Sequence, residues 1–371
     1  MKLAVSAGDH SGDIYGEALL KELQKQHPDI RFIGMGGVGL QRAGLAAIAN
    51  LVPYSTVGFI EPLKYLFPIF AAYKKMVRLL KKEKPHALLL IDYQGFNMAL
   101  ARAAKKLGIK TIYFIAPQEW LWGTERGARK VAQTIDLIIA IFEKEGEVYK
   151  SVGGNVEYFG HPLPELLNDL PSREDFCVKN NVSTQKKIVG IFPGTRKHEI
   201  ERHLPIILET CARLENSVPD VSFAMAHPGM VDRYRIPSSI RVTHDSRGLL
   251  KAASVAMGKP GTVQMEALFL GTPYIPFYKV SRATYFIGKR LLKIRLPYYT
   301  LVNLLSHKQV VPEFIQDAAT PHALGLAIQN WLTEGSSASG LREDYESLRR
   351  KLDRGPVIPL VAKSILRAIA P

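Results

Sequence analysis

Ten short, largely apolar runs recur along this chain, at 3–7, 32–35, 87–91, 111–115, 137–142, 157–159, 188–192, 222–226, 255–257 and 274–277. Most are closed by Gly, Pro or Asp, and each is followed by a stretch long enough for a helix. Strands that alternate with helices imply parallel sheets covered by helices on both faces. The runs are continuously apolar rather than alternating, which agrees, because a parallel strand is buried on both sides. The series breaks once, between 161 and 187, where turn formers and charges replace any strand-length apolar run. A chain of 371 residues is long for one domain. We therefore expect an α/β protein of two doubly wound, Rossmann-like halves facing a cleft. The expected first domain is 1–165 and the second 186–345, with 346–371 ending in a helix that packs back on the first. Ligands of such folds sit where strands end and helices begin.

Several function classes are excluded at this stage. The 47% hydrophobic and 22% charged composition is that of a globular chain. No apolar run approaches the roughly 18 to 20 residues that span a bilayer, and Gly8, Asp9 and His10 interrupt the N-terminal run too early for a signal peptide. A cytoplasmic protein is expected. Cys177 and Cys211 form no zinc pattern and no disulfide framework, and both read as structural. Kinase-type and zinc chemistry lack their motifs. The 49 Lys and Arg against 34 Asp and Glu give a net charge of +15, which favours an anionic partner.

The positive charge is concentrated. Seven Lys or Arg and one acid, Glu83, lie between Lys64 and Lys84 among Phe67, Ile69, Phe70, Met76 and Leu80, and 267–312 contains seven Lys or Arg and no acid. Both stretches suit an interfacial helix on anionic lipid, or a core helix with a solvated basic face. No nucleic-acid-binding motif accompanies them, so nucleic acid is not the expected partner.

Three loops could hold a ligand. The segment Ser6-Ala7-Gly8-Asp9-His10-Ser11-Gly12-Asp13 joins the first strand to a helix, and its glycines admit either a ligand or an ordinary tight turn. Pro193-Gly194-Thr195-Arg196 occupies the same place in the second half, where Arg196 offers a fork to phosphate or carboxylate. Near the end of that half, Gly261 and Thr262, followed by Val263 and Glu266, open a helix whose free N–H groups suit a phosphate. Each has a bland reading as a capped turn. Together they point to a nucleotide diphosphate.

The order of these and further motifs resembles the lipid-A-disaccharide synthase family of GT-B glycosyltransferases. The likeness includes Ala7–Asp13, Gly34-Met35-Gly36-Gly37, Val57-Gly58-Phe59-Ile60-Glu61, Ala116-Pro117-Gln118-Glu119-Trp120-Leu121-Trp122, Phe159-Gly160-His161-Pro162-Leu163, the Arg196 and Gly261 loops, Leu301-Val302-Asn303-Leu304 and Val311-Pro312-Glu313. The resemblance implies transfer of 2,3-diacylglucosamine from UDP to 2,3-diacylglucosamine 1-phosphate, giving a β-1,6-linked disaccharide 1-phosphate without a metal or other cofactor. It also implies a peripheral place on the inner face of the cytoplasmic membrane. Ser11, Arg196 and Asn303 match positions that the family needs for activity. Gly261, Thr262 and Glu266 match the start of its UDP-binding helix, with Glu266 expected on the ribose hydroxyls. Oligomeric state is left open, a homodimer included.

The chain departs from that pattern where a base is required. The family commonly reads Asp-x-Pro-Asp-Phe-Asn; here Asp92-Tyr93-Gln94-Gly95-Phe96-Asn97 puts Gly95 at the second Asp, and Gly cannot take a proton. Asp9 stands where the family usually has Glu, and Glu119 where many members have an apolar residue. The Gln-Glu-Trp and the missing Asp resemble the cyanobacterial-type members. Glu119, an acid added where many members have none, is therefore the expected base; the alternative is that Glu119 pairs with a cation or caps a turn while Asp9 or Asp92 takes the proton. Two further readings stay open: a UDP-sugar 2-epimerase of the same fold, and a catalytically silent membrane-binding homologue.

Overall fold

The computed structural model describes all residues except 55–64, 122, 228–233, 282–284, 286–296, 334–336 and 371. The motif at 57–61, Trp122 and the apolar and basic residues of 286–296 therefore lie outside the described residues.

The described residues divide into two compact units, Met1–Leu166 with Leu352–Pro371, and Leu167–Lys351. In the first, β1 (Lys2–Ala7), β2 (Arg31–Met35), β3 (Leu45–Ala49), β4 (Ala87–Ile91), β5 (Lys110–Phe114), β6 (Leu137–Ala140) and β7 (Val156–Tyr158) form one sheet in the order β3-β2-β1-β4-β5-β6-β7. In the second, β8 (Lys187–Phe192), β9 (Val221–Ala226), β10 (Ile240–Thr243), β11 (Val255–Gly258), β12 (Tyr274–Tyr278) and β13 (Phe314–Ile315) run in the order β10-β9-β8-β11-β12-β13. Strand pairing is parallel throughout. The expected doubly wound α/β architecture is the observed one.

Continuous apolarity explains the central strands. Ala87-Leu88-Leu89-Leu90-Ile91 is wholly buried, and Val5 of β1 sits between Leu89 and Gly34 of its two neighbours. A glycine is required at 34: its φ is +144°, and a Cβ there would stand 2.1 Å from the Val5 carbonyl oxygen. Sequence reasoning missed β3, β10 and β13, all edge strands. Three of the five β3 residues are exposed, the two central residues of β10 are exposed, and β13 has two residues, so none carries the two-sided apolar signature.

The polar stretch after 161 is structured. Helix Arg173–Asn180 buries Phe176 and Cys177 in the second unit, and Arg173 donates to the carbonyl of Lys186. Helix Ser337–Leu352 also belongs there for most of its length, with Arg349 Nε donating to Leu268 O at 2.7 Å. The chain then returns to the first unit. Helix Val357–Ile369 packs against helix His10–Gln26, and the Glu165 carboxylate receives the N–H groups of Val357 and Ile358 at its N-terminus.

Each sheet reverses its winding order once, between β1 and β4 in the first unit and between β8 and β11 in the second. Strand C-terminal ends at such a point leave a crevice in which ligands of this architecture bind.

Candidate functional site

At the β1/β4 reversal the structure brings together Asp9, Ser11 and Asp92. Asp9 caps helix His10–Gln26, its Oδ1 accepting from the Gly12 N–H at 2.9 Å. Ser11 Oγ lies 3.0 Å from Asp92 Oδ2 and 3.3 Å from Asp9 Oδ2. One hydroxyl proton serves one carboxylate at a time, so two acids compete for a single donor.

Asp92 is held in an unusual backbone conformation. Its φ is +50° and that of Tyr93 is +53°, a region that non-glycine residues seldom occupy. The turn is over-determined by its neighbours: Asn97 Nδ2 donates to Asp92 O at 2.7 Å and Tyr113 Oη to the same oxygen at 2.8 Å, while the Tyr93 N–H bonds Asp92 Oδ1 at 2.8 Å. Asn97 is fully buried and also accepts from Ser6 Oγ at 2.7 Å. The Asn of this motif thus locks the turn that presents Asp92, and such stored strain is characteristic of functional sites. Gly95 opens helix Gln94–Lys106, and a Cβ there would meet nothing within 4 Å.

Glu119 folds back on its own loop. Oε1 accepts from Gln94 Nε2 at 3.0 Å and Oε2 from the Thr124 N–H at 3.2 Å, next to the start of helix Glu125–Thr134. Any side chain at Gly123 or Gly127 would collide with it. The neighbouring Pro-Gln-x-Trp segment is equally built in. Trp120 Nε1 donates to Gln118 Oε1 at 2.6 Å, Tyr149 Oη donates to Pro117 O, and the Trp120 ring packs on Phe142, which packs on His161. Burial drives the imidazole of His161 down to about 3, so it is neutral. Beneath this segment, Glu145 is fully buried. Desolvation pushes its carboxyl up to about 8 despite the N–H groups of Ile141 and Phe142 and the side chain of Gln118.

At the β8/β11 reversal, Gly194, Thr195 and Arg196 follow β8 and lead into helix Lys197–Ser217. Gly194 has φ +121°, and a Cβ would approach Glu199 Oε2 to 2.7 Å. Glu199 is 1% exposed, and its Oε1 receives both Arg196 Nη1 at 3.0 Å and Lys259 Nζ at 2.9 Å. Burial alone would raise this carboxyl; Lys259 and Arg196 outweigh it and hold it down at about 2. His203 is likewise buried, with Nδ1 2.7 Å from Pro193 O and Nε2 accepting the Lys279 N–H at 3.2 Å. Those partners fix the neutral tautomer that carries its proton on Nδ1, and burial lowers its pKa.

Gly261 is extended and precedes helix Thr262–Leu270, which carries Val263 and Glu266. Glu266 is buried, and its Oε1 receives Arg247 Nε at 2.8 Å. Asn303 differs in kind from the others. Its Nδ2 donates to Val311 O and Glu313 Oε1, both at 2.9 Å, and its Oδ1 accepts from the N–H groups of Val310 at 2.7 Å and Val311 at 2.9 Å. The amide is saturated, so its action here is to tie 299–313 together, with Glu313 also receiving Thr300 Oγ1 at 2.7 Å.

Sequence reasoning alone assigns no site role to Glu199, His203, Lys259, Arg247 or Glu313. Two signals were available: Glu199 lies three residues after Arg196, the spacing of a helical ion pair, and Lys259 stands two before Gly261. The convergence of Lys259 on Glu199 joins residues 60 apart in sequence and has no local signature.

Two parallel, doubly wound α/β units, each with a chemically loaded loop at its winding reversal, define a protein of the GT-B class. Solved structures agree on the fold. The chain is similar to a putative UDP-N-acetylglucosamine 2-epimerase from Listeria monocytogenes, with TM-score 0.66, 12% identity, and coverage of 100% of this chain and 95% of that one. It is also similar to the glycotransferase of kitacinnamycin, with TM-score 0.65, 14% identity, and 100% and 99% coverage. At these identities the likeness is one of fold only.

The family is decided by sequence. The family model for lipid-A-disaccharide synthetase matches residues 3–358, and the chain belongs to that family. Among curated relatives, the lipid-A-disaccharide synthase of Trichlorobacter lovleyi is 32% identical over 364 residues, covering 95% of this chain and 94% of that protein. Those of Geobacter metallireducens and Coxiella burnetii are 31% and 32% identical, covering 99% and 97% of this chain and 97% and 96% of theirs.

Proposed function

We propose that this chain is an inverting glycosyltransferase. It would move 2,3-diacylglucosamine from UDP to the 6-hydroxyl of 2,3-diacylglucosamine 1-phosphate, forming the β-1,6 disaccharide 1-phosphate. The observation that carries this reading is the family match over nearly the whole chain. The two clusters supply complementary chemistry. In the reaction the bond between the sugar C1 and the diphosphate oxygen breaks, a bond from C1 to the acceptor oxygen forms, and the acceptor proton leaves to a base. The cationic cluster around Arg196, with the free N–H groups at Gly261 and Thr262, suits the negative charge that gathers on departing UDP.

For the base we propose Asp92. It is presented by a strained, locked turn, and Ser11 can orient its Oδ2. Asp9 serves a helix cap and Glu119 braces the Thr124 N–H, whereas the partners of Asp92, the Tyr93 N–H and the Ser11 hydroxyl, hold its carboxylate at the turn where it would meet a proton.

We further propose peripheral attachment to the anionic inner face of the cytoplasmic membrane. No described helix is long and apolar enough to cross a bilayer. On helix Leu66–Glu83, however, Leu66, Phe67 and Phe70 are 55%, 84% and 54% exposed, and Lys74 Nζ lies 4.4 Å from the centre of the Phe70 ring. Apolar side chains in water beside lysines match an interfacial helix.

The deciding experiment is to incubate the purified chain with the UDP-diacylglucosamine donor and the diacylglucosamine 1-phosphate acceptor and to analyse products by mass spectrometry. Disaccharide 1-phosphate is expected. An epimerised nucleotide sugar, or no product from a folded protein, would overturn the reading.

A further inference from the structure

The cluster at the β8/β11 reversal sets two cations on one buried carboxylate. One carboxylate, Glu199, serves two cations: its Oε1 takes both Arg196 and Lys259, and its Oε2 accepts the Thr195 N–H at 3.3 Å. Arg196 and Lys259 are themselves only 17% and 20% exposed.

Lys259 also links two loops. Its backbone N–H donates to Phe192 O at 3.0 Å, fixing the end of β11 beside the end of β8. Its side chain reaches Glu199 from the β8 side, with the ammonium 5.9 Å from the centre of the Tyr278 ring, while two residues on the chain enters helix Thr262–Leu270 through Gly261. An ammonium, a guanidinium and a helix N-terminus thus gather at one end of the second sheet. A diphosphate, with two adjacent anionic groups, is the ligand chemistry that matches two adjacent cations.

We propose that Lys259 is a binding residue for the diphosphate of the nucleotide sugar, its ammonium held beside Arg196 by the shared carboxylate of Glu199. The inference rests on the UDP-sugar reading above and deepens it. Glu199 keeps Arg196 when Lys259 is replaced, so removing Lys259 strands no buried charge and the fold should survive.

The test is calorimetric titration of the full chain with UDP and, separately, with uridine, which has the base and ribose but no phosphate. For Lys259→Gln the UDP affinity should fall about 10- to 100-fold, the range of a lost charge-assisted hydrogen bond, with uridine affinity unchanged. Lys259→Arg should recover most of the loss. In the wild-type protein, UDP but not uridine should slow acylation of Lys259 by an amine-reactive ester, read by peptide mass spectrometry, a measurement independent of any variant's folding. Unchanged UDP affinity in Lys259→Gln, equal losses for UDP and uridine, or no protection of Lys259 would overturn the proposal while leaving the transferase reading intact. Failure of the wild-type chain to bind UDP at all would overturn both.

Discussion

At the scale of single residues, the missing Asp at position 95 sets the question, because something else must accept the acceptor's proton. Asp92→Asn should lower kcat by about 10²–10⁴, the usual contribution of a positioned base, with little change in UDP affinity. Glu119→Gln should act differently. It removes charge from a side chain that braces the start of helix Glu125–Thr134, so a stability loss on the order of 1 kcal/mol with most of kcat retained is expected. If Glu119→Gln instead abolishes turnover while chemistry is limiting and Asp92→Asn spares it, the assignment is reversed. Two buried glutamates give opposite pH signatures. Glu145 binds its proton more tightly folded than unfolded, so the stability it contributes is complete below about 4.5 and is lost as pH rises through about 8. Glu199 is depressed, and its contribution is present above about 4.5 and is lost as pH falls toward about 2. Urea midpoints should therefore decline between about pH 5 and 8 from the Glu145 contribution, and Glu145→Gln should flatten that decline.

Two helices carry predictions of their own. Helix Gln94–Lys106 has no acid in its first turn, and Gly95 there faces open space. Gly95→Asp should raise stability by roughly 1 kcal/mol through helix propensity and the helix dipole, measurable as a higher melting temperature. It should also recover part of the turnover lost in Asp92→Asn if a carboxylate at 95 reaches the same proton. Helix Leu66–Glu83 displays both apolar and basic groups to solvent, and sedimentation with anionic vesicles should fall steeply as salt rises, exposed charges being screened over about 8 Å at physiological ionic strength. Replacing Lys74, Lys75, Lys81 and Lys82 together should reduce it further. Salt-independent sedimentation would indicate apolar insertion alone, and no sedimentation would refute membrane attachment by this helix.

For the whole molecule, the return of the chain into the first unit makes its stability depend on its last helix. Val361, Ala362 and Ile365 on helix Val357–Ile369 are completely buried. Ile365→Ala should cost about 2–5 kcal/mol, and hydrogen exchange should quicken in β1 and β4 while β8 and β11 keep their protection. Equal quickening in both sheets would contradict the division into two units.

The sequence by itself determined the class of fold, because burial on both faces of a parallel strand forces continuous apolarity, and central strands such as Ala87–Ile91 advertise it. It also placed glycine where local backbone geometry demands it, as at Gly194, whose φ is +121°. Tertiary structure alone decided how the loops work. Nothing local announces that the hydroxyl of Ser11, 81 residues away in sequence, meets Asp92 on the turn that Asn97 locks. Asn303 reads in sequence as a residue for chemistry, yet its four hydrogen bonds are used within the protein. Pairwise electrostatics and hydrogen-bond saturation depend on distances across the fold, and the sharing of Glu199 by Arg196 and Lys259 exists only once β8 and β11 lie side by side.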